Sequence, residues 1–171
     1  ALAEGLAQYT DSLFAEHVGL AAMAEHVGYY ARNYRIAIAA APDKAILSKA
    51  VYRTRAYMGV VFNKGACVLH MLRRQVGDKA FFGALRTFFR QHRGKRAGLA
   101  QLREAMERAS GQRLRWFFEQ WYRRPGSPRI SIGWRHPPRK SGQKKTPVYL
   151  ELRQLQPGKA YRLPLTLELY R

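Results

Sequence analysis

Hydrophobic periodicity changes once along this chain, at Pro125. Ahead of it, apolar residues recur every three to four positions; beyond it, they alternate. The first spacing lines one face of a helix and the second lines one face of a strand. The chain is therefore predicted to be α+β, helical over 1–124 and β over 128–171. Helices are expected over 2–16, 20–39, 63–76, 79–92, 99–109 and 114–122. The first carries Leu2, Leu6, Tyr9, Leu13 and Phe14 on its apolar side, with no capping residue before it. Gly77 is expected to end the helix at Val76, and Asp78 to cap the next one. Residues 43–51 read as a short helix or loop, and 52–59 have no decisive pattern. Beyond Pro125, the segments Arg129–Arg135, Val148–Gln154 and Tyr161–Tyr170 read as antiparallel strands with one covered face.

Composition removes several function classes. No apolar run approaches about 18 residues, so no membrane-spanning helix is predicted. One cysteine, Cys67, excludes an internal disulfide and a four-cysteine zinc site. It sits within a helical pattern and reads as a buried structural thiol. No two of the five histidines are four residues apart, so no helical two-histidine metal clip exists. There is no phosphate-binding glycine loop, dinucleotide fingerprint or nucleophile elbow.

The chain has 31 Lys and Arg against 11 Asp and Glu, a net charge of +20. Residues 1–60 hold six bases and five acids, so the excess lies almost wholly in 61–171. Such a charge favours polyanions, or belongs to a piece whose compensating acids lie elsewhere. A start at Ala1, directly in an apolar helix, favours the second idea. The run Arg139, Lys140, Lys144, Lys145 reads as a solvated hairpin loop. The set Arg86, Arg90, Arg93, Lys95, Arg96 could line a route for an acidic substrate or face another part of a larger protein. Trp116 to Tyr122 reads as core.

Taken alone, Glu4 is a surface or capping glutamate, and Phe62-Asn63-Lys64-Gly65 is the start of a helix. In series they gain meaning. Leu2-Ala3-Glu4-Gly5-Leu6-Ala7 is followed by Phe62-Asn63-Lys64-Gly65 and then Gly77-Asp78-Lys79-Ala80-Phe81-Phe82. Leu102-Arg103-Glu104-Ala105-Met106, Ala109-Ser110-Gly111 and Trp116-Phe117-Phe118-Glu119-Gln120-Trp121 complete the order. This series resembles the M1 zinc aminopeptidases, or gluzincins, over nearly the whole chain and least over 20–55.

The resemblance implies the mainly helical C-terminal half of a thermolysin-like metallopeptidase domain, then part of a β-sandwich-like domain over 128–171. It implies one zinc ion, held by the two histidines of an HExxH motif and by Glu4. In such enzymes the motif glutamate activates a zinc-bound water and a tyrosine hydroxyl stabilises the oxyanion. HExxH is absent here, so no zinc is expected on this chain alone and no proteolysis by it. Phe62 stands where the family has its oxyanion tyrosine. Losing such a donor costs roughly 3–4 kcal/mol, a factor of about a hundred to a thousand in rate. Tyr57 corresponds to another tyrosine near the family's site and could supply a hydroxyl from a different angle. Ala3 replaces an asparagine, a milder loss of polarity. Lys64 could orient acidic groups at the substrate rim or be a solvated helix-start lysine.

Three functions follow as expectations. The first is a fragment of a zinc aminopeptidase acting on N-terminal peptide bonds, its partners the missing N-terminal half and a peptide substrate. The second is a non-catalytic M1-like scaffold. The third is a basic module holding nucleic acid or another polyanion non-specifically.

Overall fold

The computed structural model describes residues 1–138 and 147–165. The chain divides into two units at Gly126–Ser127. The first is helical and the second holds a two-stranded antiparallel sheet, so the α+β reading holds. No helix among the described residues is long and apolar enough to cross a membrane.

In the helical unit, α1 (Leu2–His17) starts without a side-chain cap, as its sequence implied. Its buried face is Gly5, Tyr9 and Ser12, a spacing of four and three. Phe14 is instead 63% exposed. The reason is polar: the Ser12 hydroxyl lies 2.7 Å from the Tyr30 hydroxyl, which donates to the Gln8 carbonyl at 3.2 Å. Those bonds turn the serine inward, and Phe14 follows the helix round to solvent. α2 (Met23–Ala40) answers with Met23, Tyr30 and Tyr34 on its buried face.

A connection follows that includes a 3-10 turn, Lys49–Arg53, capped by the Ser48 hydroxyl. Then a π-helix, Met58–Lys64, runs directly into α3 (Gly65–Val76). The expected helix of 63–76 thus has a wider turn ahead of it. Gly77, at φ +83°, ends α3 as predicted. Asp78 does not cap α4 (Asp78–Gln91). Its carboxylate takes two bonds from Arg73, at 2.9 and 2.8 Å, because the guanidinium fork one turn back matches it in shape. Arg73 also donates to Glu16 at 2.8 Å, so one side chain ties α1, α3 and α4.

α5 (Leu99–Ser110) packs on α4 and ends at Gly111, whose φ of +68° is left-handed. Beyond it, α6 (Arg115–Phe118) passes into a second π-helix, Glu119–Arg123. Phe117, Phe118, Trp121 and Tyr122 are buried there, as the aromatic run predicted. The core of the unit joins them to Val60, Val61, Leu69, Leu72, Phe81, Leu102 and Met106.

In the second unit, β1 (Ile130–Arg135) pairs with β2 (Tyr149–Gln154), with Ile132 opposite Leu152 and Trp134 opposite Leu150. The alternation was read correctly, but the expected covered face is open: Ile132 and Trp134 are 65% and 69% exposed. Among the described residues of this unit the two strands have no further strand or helix to bury that face against. The third expected strand is absent over 161–165, and its remainder lies outside the described residues. At Tyr161 the chain is held instead by the Gln154 amide, which donates to the Tyr161 carbonyl and accepts from its N–H, both at 2.7 Å.

Candidate active site

Glu4 lies on α1, one residue before Gly5, which α1 buries. Its Oε1 accepts from the Tyr57 hydroxyl at 3.4 Å. Its Oε2 lies 2.6 Å from the α-ammonium of Ala1. The same ammonium donates to the Tyr52 hydroxyl at 3.1 Å, and the Tyr52 and Tyr57 rings are 5.0 Å apart. Tyr57 meets Phe62 edge-on at 5.7 Å between centroids. The structure therefore brings Glu4, Tyr57 and Phe62 into one cluster. Tyr52 joins them without having been singled out; no spacing signal marks it.

The charges follow from these contacts. The Ala1 ammonium holds the Glu4 carboxyl below its ordinary range, helped by backbone hydrogen bonding. Partial loss of solvent, then the negative charge of Glu4, pushes the Tyr57 phenol upward. At neutral pH the pair is thus a carboxylate beside a protonated hydroxyl.

Two glycines make this convergence possible. Gly5 follows Glu4, and Gly65 follows Lys64. A Cβ built on Gly5 would sit 3.3 Å from the Gly65 backbone. The backbones of α1 and α3 touch at this point, which accounts for both residue types and carries Glu4 towards the segment bearing Tyr57 and Phe62.

Glu4 Oε2 is buried and makes no well-directed hydrogen bond, yet faces a cation. A carboxylate oxygen shielded from solvent is the right donor chemistry for one hard anionic ligand of a zinc site. Among the described residues, no three His, Cys, Asp or Glu side chains group to hold a metal.

Lys64 is only 4% exposed, so it is not a solvated lysine. Its ammonium donates to the Gly126 carbonyl at 2.7 Å and to the Tyr34 hydroxyl at 3.2 Å, with Asp43 at 3.9 Å. Asp43 accepts from the Tyr34 hydroxyl and from the Gly126 N–H at 2.9 Å. Asp43 was not anticipated, although it is the one acid between Glu25 and Asp78. Burial pushes the Lys64 ammonium down to about 8, partly countered by Asp43. The unfolded chain then binds more protons than the folded one between about pH 8 and 10.5, so this residue's contribution to stability rises with pH there. Cys67, which burial pushes up to about 11, and the buried Tyr9 and Tyr122 act in the opposite sense at high pH. The clean readout is therefore a difference. Relative to Lys64→Met, the wild type is expected to gain about 2 kcal/mol between pH 8 and 10, followed by urea denaturation. A flat difference would show that Lys64 titrates as an ordinary lysine. Cys67 is half-buried where its sequence suggested a buried thiol; its Sγ lies 3.8 Å from the Val27 carbonyl, and the upward push of burial disfavours the thiolate.

Glu4 on α1 thus meets Tyr57 and Phe62 where the chain turns into α3. The model of the peptidase family M1 domain matches residues 1–121. The chain belongs to peptidase family M1. It is 36% identical over 72 residues to an aminopeptidase N of Lactococcus lactis, covering 42% of this chain and 8% of that protein. It is 28% identical over 134 residues to that of Haemophilus influenzae, covering 77% and 15%. With that of Escherichia coli the identity is 28% over 119 residues, covering 67% and 13%. The chain thus spans no more than 15% of the length of these relatives.

Proposed function

We propose that this chain supplies the glutamate ligand and the oxyanion side of an M1 zinc aminopeptidase site, completed by an HExxH motif outside these 171 residues. The observation that carries the reading is the cluster of Glu4, Tyr57 and Phe62, with the Tyr57 hydroxyl on Glu4 Oε1, in a stretch that matches the peptidase family M1 domain. Zinc, when bound, supplies a Lewis acid and an activated water. Glu4 would be its ligand from this chain. Tyr57 orients that carboxylate through its hydroxyl and has a proton to donate. Phe62 shapes the wall where the family's oxyanion donor stands, without donating. Lys64 holds Asp43 and the Gly126 backbone beneath the substrate rim. The parent would cleave N-terminal peptide bonds; these residues alone would cleave none. The helical part of the catalytic domain would end near residue 124, and 128–171 would open a β-sandwich-like domain.

A second reading rests on Phe62: an M1-like scaffold that has lost its chemistry and kept its fold for protein interaction. Elemental analysis tests the metal that the first reading requires. The longest natural chain containing these residues is expected to hold about one zinc when purified without chelator, and this 171-residue chain none. Glu4→Gln in the long chain is expected to lower zinc affinity by about 10- to 100-fold or more, taking the loss of a supporting residue as the floor. Absence of zinc from both chains would replace the enzyme reading with the scaffold.

A further inference from the structure

The exposed side of α4 carries a charge that the proposed active site does not use. Lys79, Arg86 and Arg90 recur at intervals of seven and four, which places them in one stripe along about 16 Å of helix. Arg93, Lys95 and Arg96 continue it through the following turn. All six side chains are exposed. Among the described residues none of the six makes an ion pair. The sequence has no acid between Asp78 and Glu104, and Asp78 is already bound by Arg73.

Folding does not account for this stripe. The helix dipole favours cations at the end of α4, which would explain Arg90 and its successors. It disfavours Lys79 in the first turn and does nothing for Arg86. Like charges four apart, as at Arg86 and Arg90, cost a little stability. The pattern is therefore unfavourable within the chain and becomes favourable only opposite negative charge.

We propose that this stripe is a docking track for the phosphate backbone of single-stranded nucleic acid. Four of its six cations are arginines, whose planar fork takes phosphate oxygens two at a time. A straight row of cations suits a line of phosphates. Phe89, 56% exposed, lies beside the row and offers a ring for a base to stack on. A membrane surface would call for a broader apolar insertion than one ring.

The test is fluorescence anisotropy of a labelled oligothymidylate of about 20 nucleotides with the 171-residue chain. At about 50 mM salt, Arg86→Glu/Arg90→Glu/Arg93→Glu is expected to weaken binding at least about 30-fold. Arg32→Glu/Arg35→Glu/Arg53→Glu makes the same change in net charge at three other exposed arginines and is expected to cost under about threefold. The salt dependence should have a log–log slope near −3, for four to five phosphates at about 0.7 each. Phe89→Ala should cost a further several-fold, which a purely ionic contact would not. Equal losses in the two triple variants would reduce the binding to net charge and overturn the proposal. So would the absence of binding at low salt. Binding to phosphatidylserine vesicles through the same stripe, with none to the oligonucleotide, would overturn it in favour of a membrane surface.

Discussion

In a zinc-loaded chain that includes an upstream HExxH, Phe62→Tyr is expected to raise kcat/KM on an aminoacyl substrate by about a hundred- to a thousand-fold. The estimate comes from the worth of one oxyanion donor, roughly 3–4 kcal/mol in a water-poor site. The gain should fall in kcat, because the donor matters to the transition state more than to the bound substrate. The ring needs no new place: Phe62 already sits edge-on to Tyr57 at 5.7 Å, half-buried on the π-helix. Tyr57 is the competing donor, since its hydroxyl already turns to Glu4. Tyr57→Phe therefore belongs in the same experiment. A large gain from Phe62→Tyr with little loss from Tyr57→Phe would leave the oxyanion position at residue 62. Little gain from the first and a collapse from the second would give the role to Tyr57. No turnover in any variant, despite bound zinc, would sink the peptidase reading and leave the scaffold.

What could be read from the sequence was what local chemistry decides. Gly77 and Gly111 mark helix ends because only a left-handed or otherwise positive φ closes them there. The aromatic run from Trp116 to Tyr122 predicts core because so much apolar area in so few residues has nowhere else to go. Glu4 was legible only through its neighbours in series; one glutamate in a helix has no chemistry of its own. Other features depend on residues far away in the chain. Lys64 is buried because Asp43, twenty-one positions earlier, and the Gly126 backbone surround it. Phe14 faces water because Ser12 and Tyr30 bond across the α1–α2 contact. The π-helix over Met58–Lys64 has no apolar period to announce it, since its buried set is Gly59, Val60, Val61 and Lys64. The open face of the sheet is the same lesson in β form: alternation shows which side is apolar, not what covers it.

Gly59→Ala is expected to destabilise the helical unit by about 3 kcal/mol or more, at the upper end of overpacking changes. A Cβ at residue 59 would stand 2.3 Å from the Cβ of Ala37, with the Asn33 carbonyl and the Tyr34 Cα each at 3.5 Å. Carbon atoms rest about 3.5–4.0 Å apart, so the methyl must gain more than about 1 Å of room. Neither side can yield cheaply. The Ala37 methyl is fixed to the α2 backbone and has no rotamer to swing away. Residue 59 lies in the turn that positions Phe62 and Lys64, so any retreat moves the candidate site as well. Better helix propensity for alanine returns at most about 1 kcal/mol. If the clash between two methyls is the cause, removing the other methyl should cure it. Ala37→Gly alone is expected to cost about 1 kcal/mol, and Ala37→Gly/Gly59→Ala to regain most of what Gly59→Ala loses. The coupling in that double-mutant cycle, measured by urea denaturation, should reach about 2 kcal/mol. Additive losses would mean that Gly59 is required for the backbone geometry of the π-helix and not for the space it leaves to α2.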